Sequence, residues 1–279
     1  METEKFVEYE AVSARSPLRQ GDILERTGDI DDDYCWEQYL MVLTADCDLA
    51  QGKHDQRITC IPILAKDYYI HRFRLESLKT RVIAKQLAEL RDVLTRNKLP
   101  TIGDERIVEW ATERSSNDIV HLLKVTAAND IETIRRSVDA IRILATPSDN
   151  LPSALSKLIT AQATGVNPPS DKNVRSALAD AIRSSFKSPP GDAHFLSAIG
   201  PGVDSGYFAY LRQIVQVADS DITTIGRHRS ENYSRISRLQ TRYIHAITQK
   251  FAMVFMSIGL PSEYEASREA HMNNLTETI

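Results

Sequence analysis

Between Arg19 and Leu64 the apolar residues come in short runs separated by turn formers. Gln20-Gly21-Asp22 leads into Ile23-Leu24, an acidic stretch follows, then Tyr39-Leu-Met-Val-Leu-Thr44, a glycine-containing loop and Ile58-Thr-Cys-Ile-Pro-Ile-Leu64. Short β-branched runs broken by Asp and Gly predict a small antiparallel sheet or barrel. From Lys66 the period becomes helical, with Leu75, Leu78, Val82, Leu87, Leu90 and Leu94 near one face and Pro100 as the stop. Residues 105–126 fit either a strand or a buried helical turn at Ile119–Val125. Helices are predicted over 131–144, 153–163 and 171–186, the last with Val174, Leu178, Ala181 and Ile182 on a common face.

After Pro189-Pro190-Gly191 the strand pattern returns, over 194–199, 206–217 and 221–225. Ile236, Leu239, Tyr243, Ile247, Phe251, Val254 and Ile258 then recur in steps of three and four, predicting a closing amphipathic helix that Gly259-Leu260-Pro261 ends. Two strand blocks around a helical block predict an α+β chain whose sheet is discontinuous in sequence. The expected domains are a barrel from 15–65 and 192–226, a helical insertion at 66–191, and a C-terminal helix within 227–279 packed on the barrel. No internal repeat is visible.

Composition refines this. A length of 279 residues with 42% hydrophobic and 26% charged residues suits an ordinary globular chain, and a formal charge of −4 gives no general attraction for nucleic acid or anionic membrane. The first 33 residues hold ten acids and four bases, which reads as a solvated edge. There is no apolar targeting segment at the start, and the run Phe251–Met256 is far below a membrane span, so no membrane contact and a cytoplasmic location are expected. Three cysteines, Cys35, Cys47 and Cys60, suit reduced thiols better than a disulfide framework.

The most unusual string is Thr44-Ala-Asp-Cys-Asp-Leu49, at the exit of an apolar strand and followed by Gly52 and His54. It gives candidate catalytic residues Thr44, Cys47, Asp48 and His54, with Cys47 as nucleophile and His54 as base. The flanking Asp46 and Asp48 oppose a thiolate, which favours a structural Cys47, buried or half-buried, and Asp48 capping the next turn. Zinc would have to gather Cys47 and His54 with Cys35 or Cys60, but no C-x-x-C or H-x-x-x-H pair exists, so no metal is expected. Phosphate-loop, dinucleotide and nucleophile-elbow motifs are absent too, and no cofactor is expected. Two basic stretches, 66–98 and 227–250, each carry five more bases than acids. They offer Arg72, Arg74, Arg81, Arg235, Arg238 and Arg242 as nucleic-acid-binding candidates, with weak binding expected.

Gln20-Gly21-Asp22-Ile23 and Val42–Leu49, taken with Arg238-Leu239, Tyr243, Gln249–Ala252, Phe255 and Ile258–Pro261, resemble an uncharacterised bacterial family with a "GDI…T-x-x-C-D" opening and a closing "GLP" helix. The resemblance covers the first and last quarters. It implies a binding or adaptor subunit of a bacterial multi-protein defence system concerned with phage or mobile DNA, with a protein partner. More distantly, Gly21-Asp22-Ile23, the strand to Thr44 and Ile58–Ile63 are similar to the opening strands of the PemK/MazF toxin barrel, an SH3-like fold whose members cleave RNA. Those toxins usually place Arg-Pro before the strand ending in Ser or Thr. Here Gln38-Tyr39-Leu40 stands there, so the catalytic arginine is absent and Thr44 alone matches. The resemblance implies the SH3-like barrel. It leaves a ribonuclease, or a cysteine enzyme at Thr44, Cys47 and Asp48, as alternatives to the adaptor.

Overall fold

A computed structural model describes residues 6–13, 15–27, 36–187, 189, 191–222, 232–256 and 262–276. The chain is a mixed α and β protein in two units, one of residues 1–63 with 191–279 and the other of residues 64–190.

The first unit holds β1 (Tyr9–Glu10), β2 (Asp22–Arg26), β3 (Tyr39–Val42), the short helix α1 (Asp46–Ala50) and β4 (Arg57–Ala65). After the second unit it resumes with β5 (Ala193–Leu196), β6 (Tyr207–Tyr210), β7 (Val215–Ala218), β8 (Tyr233–Leu239) and the helices α9 (Thr241–Met256) and α10 (Ser262–Thr276). The strands form one antiparallel sheet curled into a half-barrel, in the order β1-β8-β2-β3-β4-β6-β5, with β7 also paired to β4. Strands from both ends of the chain therefore interleave in a single sheet.

The central strands are apolar without clear alternation because they are buried on both faces. Ile23, Met41, Ile61 and Ile63 face one core, completed by Leu196, Tyr207, Leu211, Leu239, Ile244 and Ile247. Leu24, Leu40, Val42 and Cys60 face a second with Ile58, Val217, Ile222 and Tyr233. The pairings Ile23↔Met41↔Ile61 and Leu24↔Leu40 put like-facing residues side by side, as period-two geometry requires. Each such side chain contributes about 1.5–3 kcal/mol on burial.

The second unit is helical: α2 (Lys66–Tyr69), a π-helical segment (Ile70–Leu75), α3 (Glu76–Arg96), α4 (Asp104–Glu113), α5 (Ser116–Leu123), α6 (Ala128–Ala145), α7 (Leu151–Thr164) and α8 (Asp171–Lys187). Its core joins Leu87, Leu90 and Val93 of α3 to Ile107, Ile119, Ile134, Val138 and Ile141. The ambiguous stretch 105–126 resolves into two helices because Ser115 starts a capping box, accepting from the Asp118 amide while the Asp118 carboxylate accepts from the Ser115 amide. The single helix expected from Lys66 is divided by the π segment and ends at Arg96, with Lys98 in a left-handed conformation.

Three other expectations change. The strand expected over 206–217 breaks at residues 211–214, giving β6 and β7. The closing helix does not include Ile236 and Leu239: Tyr233–Leu239 is β8, which pairs with both β1 and β2, and the helix starts at Thr241. A spacing of three suits one helix face, and it also suits a strand carrying a bulge. Residues 223–225, Arg227, Arg229, Ile258 and Gly259-Leu260-Pro261 lie outside the described residues, as does Cys35. Helix α10 is an element that the apolar spacing does not predict.

Candidate functional site

Segments far apart in the sequence meet around Asp22. Gly21 has φ of 87°, open to glycine at little cost, and a Cβ there would overlap the Ile244 side chain of α9. Asp22 follows with 0% exposure, and its carboxylate accepts from Arg238 Nε at 2.7 Å, Arg238 Nη2 at 3.1 Å, Arg235 Nη1 at 3.0 Å and the Arg19 amide at 2.8 Å. In a regular strand Arg235 and Arg238, three apart, would face opposite sides. The register of β2 on β8 shifts between Ile23, opposite Ser237, and Leu24, opposite Arg235. That bulge absorbs Ile236 and returns both guanidiniums to the Asp22 side. Arg235 also donates to the carbonyls of Ser13, Ser16 and Pro17, and Arg238 to that of Pro17.

Gln20 extends this node to the Thr44–Asp48 loop. Its amide donates to Asp46 Oδ1 at 2.8 Å and its side-chain amide to the Leu43 carbonyl at 2.7 Å. Thr44 prolongs β3 by using its hydroxyl as a ladder acceptor: Oγ1 takes the Thr59 amide at 2.8 Å, while the Thr44 amide reaches the Thr59 carbonyl at 3.2 Å. α1 then turns with Asp46 and Asp48 in its first turn, where carboxylates suit the helix dipole. The return to β4 runs through left-handed Gly52, Asp55 and Gln56.

Beside this loop lies an open cleft of about 680 Å³ lined by Thr44, Asp48, Lys53, His54, Asp55, Arg57, Gln216 and Phe251. Thr44, Asp48 and His54 are thus brought together. Cys47 does not line the cleft and is exposed, against the buried or half-buried position expected, because α1 turns it to solvent. Its thiol sits 3.6 Å from Asp48 Oδ1, while His54 Nδ1 lies 3.4 Å from the Asp48 carbonyl. Among the described residues no hydrogen bond joins Cys47 to His54, so the nucleophile and base of a cysteine enzyme are not coupled. α1 has no side-chain cap, so Asp48 does not take the cap role expected of it: its carbonyl accepts the Lys53 amide at 2.9 Å, while the Asp46 carboxylate holds the distant Gln20 amide. Cys60 points into the second core, where burial pushes its thiol up to about 12.

The arginine candidates divide. Arg235 and Arg238, proposed as nucleic-acid ligands, have side chains 6% and 13% exposed and are paired with Asp22. Arg242 donates to Gln240 Oε1 and lies over the Phe6 and Tyr243 rings at 5.9 and 5.5 Å. Arg72, Arg74 and Arg81 belong to the other unit, where Arg74 Nε donates to Ser185 at 2.8 Å and Arg81 is exposed on α3.

Two further polar groups in the sheet unit carry no sequence signal. Buried Glu8 accepts from the Ser197 amide at 2.7 Å, the Ser197 hydroxyl at 2.6 Å and the Ala198 amide at 3.3 Å. His194 on β5 has a buried Nδ1 without a hydrogen-bond partner, and burial, then Lys250, holds its ring well below the usual imidazole range, at about 4. Among the described residues no three His, Cys, Asp or Glu side chains gather as a metal site, and no helix is long and apolar enough to cross a membrane.

No model of a protein family matches this sequence, and no curated protein or solved structure matches it.

Proposed function

We propose that this chain is a binding or adaptor subunit of a bacterial multi-protein system, built on an SH3-like barrel with a helical insertion. The observation that carries the reading is the end of α9. Phe251 is half-buried in the wall of the cleft, its ring 4.8 Å from that of Phe255, and from there the helix presents Phe255 at 54% and Met256 at 74% exposure. Large apolar side chains adjoining a charged cleft are the composition of a protein-docking surface, and methionine adapts its shape to a partner. The same cleft argues against the enzyme readings: Thr44 Oγ1 holds the Thr59 amide and Cys47 lies outside it. The concern of that system with phage or mobile DNA rests on the sequence resemblance.

The test pairs the chain with the products of its neighbouring genes. Co-expressed, one of them should co-purify stoichiometrically with wild type and be lost with Phe255→Glu/Met256→Glu, whose melting temperature should stay at the wild-type value. Retention by the double variant would overturn the docking surface. RNA cleavage that Thr44→Val abolishes would replace the adaptor with a nuclease, and salt-sensitive RNA or DNA binding lost in Lys53→Glu/Arg57→Glu would replace it with a nucleic-acid module.

A further inference from the structure

The helical unit encloses a cavity of about 300 Å³ that none of the readings above uses. Its inner wall is apolar, formed by Leu75, Leu144 and Leu158, each no more than 3% exposed. Its mouth carries His71, Arg72, Lys79 and Lys157 against one carboxylate, Glu76.

The cations are not equivalent. Lys79 Nζ lies 3.3 Å from Glu76. Lys157 Nζ donates to the Pro147 carbonyl at 2.6 Å and the Thr146 carbonyl at 3.3 Å, closing backbone acceptors freed where α6 ends. Arg72 has no hydrogen bond or ion pair among the described residues, and its guanidinium is the free cation at the mouth. The segment that carries it is π-wound. In an α-helix residues 70 and 75 would be separated by about 140° around the axis. With i→i+5 bonding they share a side, so Ile70 and Leu75 are both buried, at 2% each, while Arg72 reaches the mouth between them. Such windings are rare and recur at functional sites.

We infer that this cavity binds a small organic anion, its phosphate or carboxylate head on the Arg72 guanidinium and its short apolar body against Leu75, Leu144 and Leu158. A planar fork with unengaged donors matches either head in a two-point contact. The volume stands at the lower end of the roughly 300–1,000 Å³ of ligand pockets, which suits a small occupant.

Calorimetric titration of the full chain with phenyl phosphate, benzoate, inorganic phosphate and benzyl alcohol tests this. Phenyl phosphate or benzoate should bind, identifying the head group, while inorganic phosphate and benzyl alcohol, each carrying one half of the recognition, should bind at least roughly tenfold more weakly. Arg72→Gln should weaken the bound anion by roughly tenfold or more with an unchanged melting temperature, since Arg72 has no structural partner. Ala154→Leu, which fills the cavity, should abolish binding. No binding of either aromatic anion up to about 10 mM, or binding unaltered by Arg72→Gln, overturns the site.

Discussion

Asparagine in place of Asp22 keeps the shape of the side chain and removes only its charge. The carboxylate is wholly buried, and four donors converge on it, three from guanidinium groups that are themselves nearly enclosed. The substituted amide would leave two buried cations without a counter-ion and turn an NH₂ group toward N–H donors. Removing one partner of a buried ion pair costs about 3–5 kcal/mol. The carbonyls of Ser13, Ser16 and Pro17 still solvate the arginines, so Asp22→Asn should fall near the lower end, about 3 kcal/mol. Against a domain stability of about 5–15 kcal/mol that is a large fraction. Urea unfolding followed by tryptophan fluorescence measures it unit by unit, because Trp36 lies in the sheet unit and Trp110 in the helical one. A Trp110→Phe background, which also deletes a buried N–H without a hydrogen-bond partner, leaves Trp36 as the reporter. Glu265→Gln, which breaks an ion pair with Arg268 in the same unit whose side chains are 44% and 66% exposed, is the control and should cost under about 1 kcal/mol. A loss below about 1 kcal/mol for Asp22→Asn would refute the claim that Asp22 organises β2 and β8.

Gly21→Ala should cost about 2 kcal/mol or more, part from the positive φ and part from overlap with Ile244; if Ile244→Ala recovers the whole loss, the backbone argument is wrong. His194 has a folded pKa of about 4 against an ordinary 6.5, so the unfolded chain takes up the proton first. Its contribution is complete above about pH 6.5 and disappears as pH falls toward 4, worth at most about 1–2 kcal/mol after screening of this half-buried ring. Urea midpoints at pH 7, 5.5 and 4.5 should converge for wild type and His194→Gln as the pH falls, and parallel lines would exclude the effect. Iodoacetamide on the native protein, read by peptide mass spectrometry, should modify exposed Cys47 while Cys60 reacts only after unfolding, and equal labelling would contradict their placement.

Neighbours along the chain are enough to specify most of the elements. Strands at 39–44 and 58–64 show in their β-branched runs, and the helices of 128–187 in their three-four spacing, because both patterns record one buried face. The discontinuous strand blocks are visible for the same reason. Contacts between distant segments decide the rest. Ile236 and Leu239 fit a helix as well as a bulged strand, and only hydrogen bonding to β1 and β2 makes them strand. Arg235 and Arg238 look like a free basic face until the bulge turns both onto Asp22, more than two hundred residues away. Cys47 looks buried beside an apolar strand, yet one turn of α1 carries it to solvent. Arg72 stands in a basic helix pattern, and the end of α6 and the side of α7 complete a cavity beside it. In each case the residue type is legible and its role is not, because burial and charge pairing depend on which distant segments the fold brings alongside.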